Sequence, residues 1–223
     1  MSSLKPVIEH GWDLEPNEAI ALQEELAALV RVEPAPEPIT HIAGIDVSLR
    51  QGLARSAVVV FTFPELDQIE TVCAEAPIAY PYVPGLLSFR EIPVILDALA
   101  DLTAVPDVLM CDAQGLAHPR RMGLASHLGL ILDHPAIGCA KSRLCGEHEE
   151  PAAERGAWTP LHDGDEVIGA VVRTRTNVRP LYVSVGHRVT LEDAIDLTLA
   201  CGRGYRLPEP TRWADKAAAI KRT

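Results

Sequence analysis

Apolar positions along the chain alternate between helical spacing, strand-like runs and prolines or glycines that separate them. Glu18 to Val32 places Ile20, Leu22, Leu26, Leu29 and Val30 at mostly helical spacing, and "EPAPEPIT" then stops the helix because proline cannot continue it. A leading helix and linker over residues 1–38 are expected ahead of a core over 39–223. Three β-rich runs follow, "HIAGIDVSLR", "ARSAVVVFTF" and "IETVCAEAPIAY", separated by Gly52 and "PELDQ", which predicts an antiparallel meander. From Ile92 the apolar positions Ile95, Leu96, Leu99 and Leu102 return to helical spacing. "DVLMCD" is short and continuously apolar, as a strand covered on both faces would be.

Pro119 fits the first turn of a further helix, with Met122, Ala125, Leu128 and Leu132 on its buried side. "AIGCA" predicts a second covered strand. "EVIGAVVRTR" and "LYVSV" predict two more, "LEDAIDLTLA" a helix, and "TRWADKAAAIK" a last helix introduced by Pro208 and Pro210. Strands first, then alternating helices and strands, describe an α/β domain with a mixed central β-sheet flanked by helices. A chain of 223 residues with 48% hydrophobic residues is long enough for one sizeable core.

The five cysteines form no C-x-x-C pair, and three lie in apolar runs, so they read as reduced thiols in a cytoplasmic protein. No export signal and no apolar run of ~18 residues is visible, so no membrane partner is expected. A net charge of -11 counts against a nucleic-acid partner, but the charge is uneven. Residues 1–40 hold eight acids against Lys5 and Arg31, whereas residues 118–143 hold Arg120, Arg121, Lys141 and Arg143 against Asp133 alone.

Asp46 sits inside "AGIDVSL", where a carboxylate is costly unless paired, hydrogen-bonded or bound to metal. Asp112 closes "DVLMCD" at the strand end where ligands of open α/β sheets usually bind. Glu91 completes an S-x-x-E capping box in "SFRE", but Pro93 implies that the helix starts later or kinks, leaving Glu91 at a helix start facing the sheet. Three converging carboxylates would suit Mg²⁺, with Mn²⁺ able to substitute. Zinc is disfavoured, since His118 and His127 lack ligand spacing and no cysteine pair accompanies them. Lys141, at the end of "AIGCA", is either a surface lysine or a phosphate contact beside such a metal. Arg120 and His127, two helical turns apart, would line one wall, although His127 alone is more often a satisfied core histidine.

The segments "AGIDVS", "PYVPGLLSFRE", "CDAQGLAHPRRMGLASHLG", "AIGCAKSRLCG", "LYVSVGHRVTLEDA" and "GYRLPEPTRWAD" resemble, in order, the endonuclease V family of deoxyinosine 3′-endonucleases. The resemblance implies an RNase H-like fold with Asp46, Glu91 and Asp112 as Mg²⁺ ligands and Asp215 completing the acidic cluster. It makes Lys141 and His118 active-site residues. It assigns Pro81, Tyr82, Val83 and Pro84 to a wedge that enters DNA where the lesion base leaves the stack, consistent with a rigid aromatic offsetting lost stacking. The flipped hypoxanthine would occupy a pocket around Leu87, Ala113, Gly115, Gly123 and Leu144, where small residues let backbone approach a base.

Arg90, Arg120, Arg121 and Arg143 are the candidate phosphate contacts. The family's usual D-G-x-G is "DAQG" here, so the Ala113 methyl stands where a pocket glycine is usual. The implied reaction is hydrolysis of the second phosphodiester bond 3′ to a deaminated base in DNA, by a monomer, leaving 3′-hydroxyl and 5′-phosphate ends. Rival readings are cleavage of inosine-containing RNA, a non-catalytic inosine-binding module, and an acidic phosphatase or nuclease without lesion preference.

Overall fold

The computed structural model describes residues 4–219. One eight-stranded sheet organises the chain, built from β1 (His41–Arg50), β2 (Leu53–Thr62), β3 (Gln68–Pro77), β4 (Val108–Cys111), β5 (Ala136–Ala140), β6 (Trp158–Asp163), β7 (Glu166–Val172) and β8 (Leu181–His187). Their order is β3-β2-β1-β4-β5-β8-β7-β6. The first three form the expected meander; β4 and β5 add parallel to β1, and β8, β7 and β6 extend the sheet antiparallel. The helices are α1 (Pro16–Ala27), α2 (Leu87–Ala100), α3 (Leu124–Leu132), α4 (Leu191–Ala200) and α5 (Glu209–Ala218). None is long and apolar enough to cross a membrane.

Strand alternation divides the core into two layers. Ala43, Ile45, Leu109 and Cys111 pack with Ile92, Ile95 and Leu99 of α2 and with Leu124 and Leu128 of α3. Ile42, Met110, Ile137 and Cys139 pack on the opposite face with Ala194 and Ile195 of α4 and Ala214 of α5. A β-carbon on Gly44 would lie 2.0 Å from the Pro210 carbonyl, so only glycine lets the start of α5 seat this closely on β1.

Four expectations are corrected. α1 ends at Ala27, not Val32, because Arg31 pairs its backbone with His187 and Arg188, which a continued helix would prevent. α2 begins at Leu87 rather than Ile92 and runs through Pro93. Burial of Phe89, Ile92 and Ile95 outweighs the one ladder bond that Pro93 forfeits. Leu86, not Ser88, is its N-cap and accepts no side-chain cap bond, so the capping box does not form.

Pro119 lies in a turn, and α3 starts only after Arg121 takes a left-handed φ of 54° and Gly123 caps the helix. Arg120 and His127 therefore do not share a helical face. Finally, β6 adds a strand that the sequence analysis does not include; it carries Pro160 at the sheet edge, where no further strand needs an N–H from that position. The expected last helix holds to Ala218, and its end at Ile220 and Lys221 lies outside the described residues. Among the described residues all five cysteines are free thiols.

Candidate active site

The alternation that builds the two layers also aims the site. Asp46 follows Ile42 and Gly44 onto the α5 side of the sheet, and Asp112 follows Val108 and Met110 to that side just past β4. The Asp112 amide donates to the Ile45 carbonyl at 3.0 Å, so Asp112, just past the end of β4, lies beside Asp46 in the middle of β1. Lys141 follows Ile137 and Cys139 in the same way at the end of β5. Asp215 reaches down from α5, and Asp46, Asp112 and Asp215 each present a carboxylate oxygen within 4.8 Å of the others.

Glu91 belongs to α2, on the opposite layer, and is not a member of this tightest group. It comes around the strand ends from the other side, close enough for the charges of Asp46 and Asp112 to act on it. The geometry thus brings together all four acids named from the sequence, with Asp215 deeper in the cluster than expected and Glu91 at its margin.

These carboxylates have little compensating charge. Burial, followed by repulsion from Asp46, pushes Glu91 up to about 8, with Arg90 opposing. Burial and then Asp112 push Asp46 up to about 6. Burial also raises Asp112, against the pull of Lys141.

The Lys141 ammonium donates to Asp215 at 2.5 Å and lies 2.6 Å from Asp112 Oδ2. Burial pulls it down, but the two carboxylates outweigh burial and hold it above its ordinary value. Among the described residues Lys141 is the only ion-pair partner of Asp112, whose Oδ2 is otherwise sheltered. Three carboxylates within 4.8 Å of one another, with Glu91 beside them and one ammonium among them, are the all-oxygen donor set that a hard divalent cation takes, so these residues fit Mg²⁺.

A cavity of about 420 Å³ opens beside the acids, within the roughly 300–1,000 Å³ usual for small-ligand sites. Leu87, Ala113, Gly123 and Leu144 line it as expected, together with Asp46, Asp112, Lys141, His118 and Arg143. Gly115 does not. Its α-carbon is pressed against β8, where a β-carbon would lie 2.0 Å from the Val185 carbonyl oxygen, so this glycine serves packing rather than the pocket.

Pro81 to Pro84 form the loop between β3 and α2. Tyr82, 74% exposed, stands at the cavity rim with Val83 and Pro84. The Arg90 guanidinium lies 5.6 Å from its ring centroid.

Two expected phosphate contacts are engaged elsewhere. Arg120 donates to Gln23 and to the Gly85 carbonyl, and Arg121 pairs with Asp163 and Glu166. His118 is buried, and burial reinforced by Arg120 lowers it to about 4. It bonds the Gly85 carbonyl at 3.1 Å, clamping the turn that follows Pro84. His127 is a satisfied core histidine between His10 and Ser88.

Sequence reasoning missed Gln114 and Ser88. Gln114 lines the cavity and ties the Ser142 carbonyl at 2.8 Å, and Ser88 lines it from α2. The polar side chain between Ala113 and Gly115 was the available signal for Gln114; the capping-box reading hid Ser88.

A protein-family model described as Endonuclease V matches residues 24–216. An endonuclease V of Roseiflexus castenholzii is 52% identical over 216 residues, covering 97% of each chain, and one of Nostoc sp. is 52% identical over 213 residues, covering 94% of this chain and 96% of its own. Among solved structures, the endonuclease V of Streptomyces avermitilis superposes with a TM-score of 0.89 at 44% identity, covering 95% of this chain and 94% of its own. Endonuclease V of Ciona intestinalis, in complex with a 24mer DNA containing an inosine followed by a ribo-adenosine, gives 0.76 at 28% identity, covering 91% and 95%.

Proposed function

The chain belongs to the endonuclease V family and has its RNase H-like fold, and we propose that it is a DNA repair endonuclease for deaminated bases, hydrolysing the second phosphodiester bond 3′ to hypoxanthine. The products are a 3′-hydroxyl and a 5′-phosphate, and the enzyme acts as a monomer. The observation that carries this reading is the shared wall: the cavity is lined by Asp46, Asp112 and Lys141, so a base held there has its backbone beside the acids. The Ciona relative's complex with inosine-containing DNA supports the substrate.

Asp46, Glu91 and Asp112 would hold Mg²⁺, with Asp215 completing the cluster. Bound there, the ion supplies Lewis acidity and a more acidic water. Lys141 keeps Asp112 and Asp215 drawn together and places its ammonium where a phosphate oxygen needs positive charge. Tyr82 occupies the space a departing base leaves in the duplex, and the Gly85 turn behind it is held by Gln23, His118 and Arg120. Leu87, Met122 and Leu124 exclude water from the bound base. Arg143 remains at the cavity rim for phosphate.

Gel mapping of a duplex with one inosine, with and without Mg²⁺, tests the reading. The expected product is one nick at the second bond 3′ to inosine, only with the cation and absent from the adenine control. Equal cutting of the control, or cutting in EDTA, would contradict it. Inosine in RNA is the second reading, favoured by the ribo-adenosine that follows inosine in the Ciona complex; matched DNA and RNA strands separate the two.

A further inference from the structure

The geometry points to Arg206 as a positioning residue that acts on the reaction through Lys141. This deepens the proposed function and rests on it. Arg206 lies in the connection between α4 and α5. Its guanidinium donates to the Lys141 carbonyl at 2.6 Å, to the Pro180 carbonyl at 2.9 Å and to the Arg179 carbonyl at 3.0 Å. Its own carbonyl accepts from Thr174 Oγ1 at 2.5 Å.

One planar fork thus joins the end of β5, the approach to β8 and the segment that leads into α5. Only a guanidinium presents several donors in a fixed plane; an ammonium is a point charge without that fork.

The arrangement matters because Lys141 must reach two acids on different elements. Asp112 follows β4, whereas Asp215 is on α5. Arg206 grips the backbone of the lysine itself and lies two residues before Pro208, the N-cap of the helix that carries Asp215. Gln114 holds the next carbonyl, Ser142, at 2.8 Å from the cavity side. The backbone behind the ammonium is therefore gripped on both flanks.

Among the described residues no carboxylate lies within ion-pair distance of Arg206, so its charge is not cancelled locally. An arginine kept only for packing would not need to stand unpaired beside an acid cluster.

The test compares the parent protein with Arg206→Met, Arg206→Lys, Lys141→Met and the Arg206→Met/Lys141→Met double variant, on duplex with one inosine and Mg²⁺. Arg206→Met is expected to lower kcat by ~10- to 100-fold with KM within about twofold, the scale of a small misplacement near the reacting centre. Arg206→Lys should lose less. In the Lys141→Met background Arg206→Met should cost nothing further, because the residue through which it acts is gone. A purely structural role would add the same loss in both backgrounds, and that result overturns the proposal.

A second readout needs no cleavage. The chain has four lysines, Lys5, Lys141, Lys216 and Lys221, so ¹⁵N-lysine spectra are simple to assign. In cation-free protein the Lys141 ammonium should exchange its protons slowly, held between two carboxylates, and Arg206→Met should speed that exchange. An unchanged Lys141 signal in folded Arg206→Met overturns the proposal. Arg206→Lys carries the same two readouts if Arg206→Met does not fold. A parent that does not nick inosine duplex refutes the proposed substrate, and the lysine spectra still decide the role of Arg206.

Discussion

Two acid clusters on this molecule have opposite electrostatics. At the end of α3, Asp133 adopts a left-handed conformation and is met by Arg31, Arg188 at 3.6 Å and His187 at 3.3 Å. Burial pushes its carboxyl up, but hydrogen bonds from His187 and Arg31 outweigh burial and hold it below the ordinary carboxylate range. Where β1 runs past the end of β4, Asp46, Asp112 and Asp215 share a single lysine, and Asp46 and Glu91 are driven upward. The first cluster is complete and ties the linker after α1 to α3 and β8. The second lacks positive charge, which is what a site for a cation and a phosphate requires and what a purely structural cluster would avoid.

The comparison breaks first at Asp112 and Asp133. Asp112→Ala should lower nicking of inosine duplex by ~10³-fold or more, about 4 kcal/mol of transition-state stabilisation, with melting temperature held or raised. Asp133→Ala should do the reverse, leaving the initial rate within about twofold and lowering the melting temperature. Parental nicking by Asp112→Ala would remove the distinction altogether.

Cation binding sharpens the contrast next. Mg²⁺ at one hundred times its dissociation constant should stabilise the parent by about 2.7 kcal/mol in thermal melts. Asp112→Asn should lose most of that gain and Asp133→Asn none of it. Equal stabilisation of both variants would place the ion elsewhere.

The pH dependence of the cation-free protein is a smaller effect with a definite sign. Glu91 has a folded value of about 8, above its ordinary 4.5, so its contribution is fully present below the unfolded value and is lost as pH rises through about 8. His127, lowered to about 3 by burial, contributes in the opposite sense, with stability lost as pH falls below 6.5.

Between pH 6.5 and 8 the Glu91 contribution should fall by about 1–2 kcal/mol, offset in part by a few tenths of a kcal/mol each from His118 and His127 as their unfolded forms finish losing protons. Glu91→Gln should flatten that slope in pH-scanned melts; a slope that persists would locate the titration in another group. The smallest effect is expected at Arg31→Ala, where loss of a half-exposed partner of Asp133 should cost about 0.5–1 kcal/mol in denaturant titration, with nicking unchanged.

Much of this was legible along the chain because burial leaves a periodic mark. β1 coincides with the run "HIAGIDVSLR", and β5 with "AIGCA". The placement of Asp46 within β1 and of Asp112 at the end of β4 followed from an acid interrupting or closing an apolar run. What misled were local rules that tertiary packing overrode: Pro93 inside α2 and Ser88 turned toward His127 instead of capping. Arg120 and Arg121 looked free in sequence because their partners, Gln23, Asp163 and Glu166, are distant in the chain.

The sequence by itself determined seven of the eight strands, the two-faced covering of β4 and β5 and the acids that interrupt or close apolar runs, since hydrophobic periodicity is local information. It also carried the segments that resemble the endonuclease V family, from "AGIDVS" to "GYRLPEPTRWAD". Only the tertiary structure decided that Asp215 joins Asp46 and Asp112 while Glu91 approaches from the opposite layer. That outcome depends on which face of the sheet each helix covers, and on the close seating of Pro210 against Gly44. No periodicity along a chain encodes the distance between two side chains that meet only because a sheet lies between their helices.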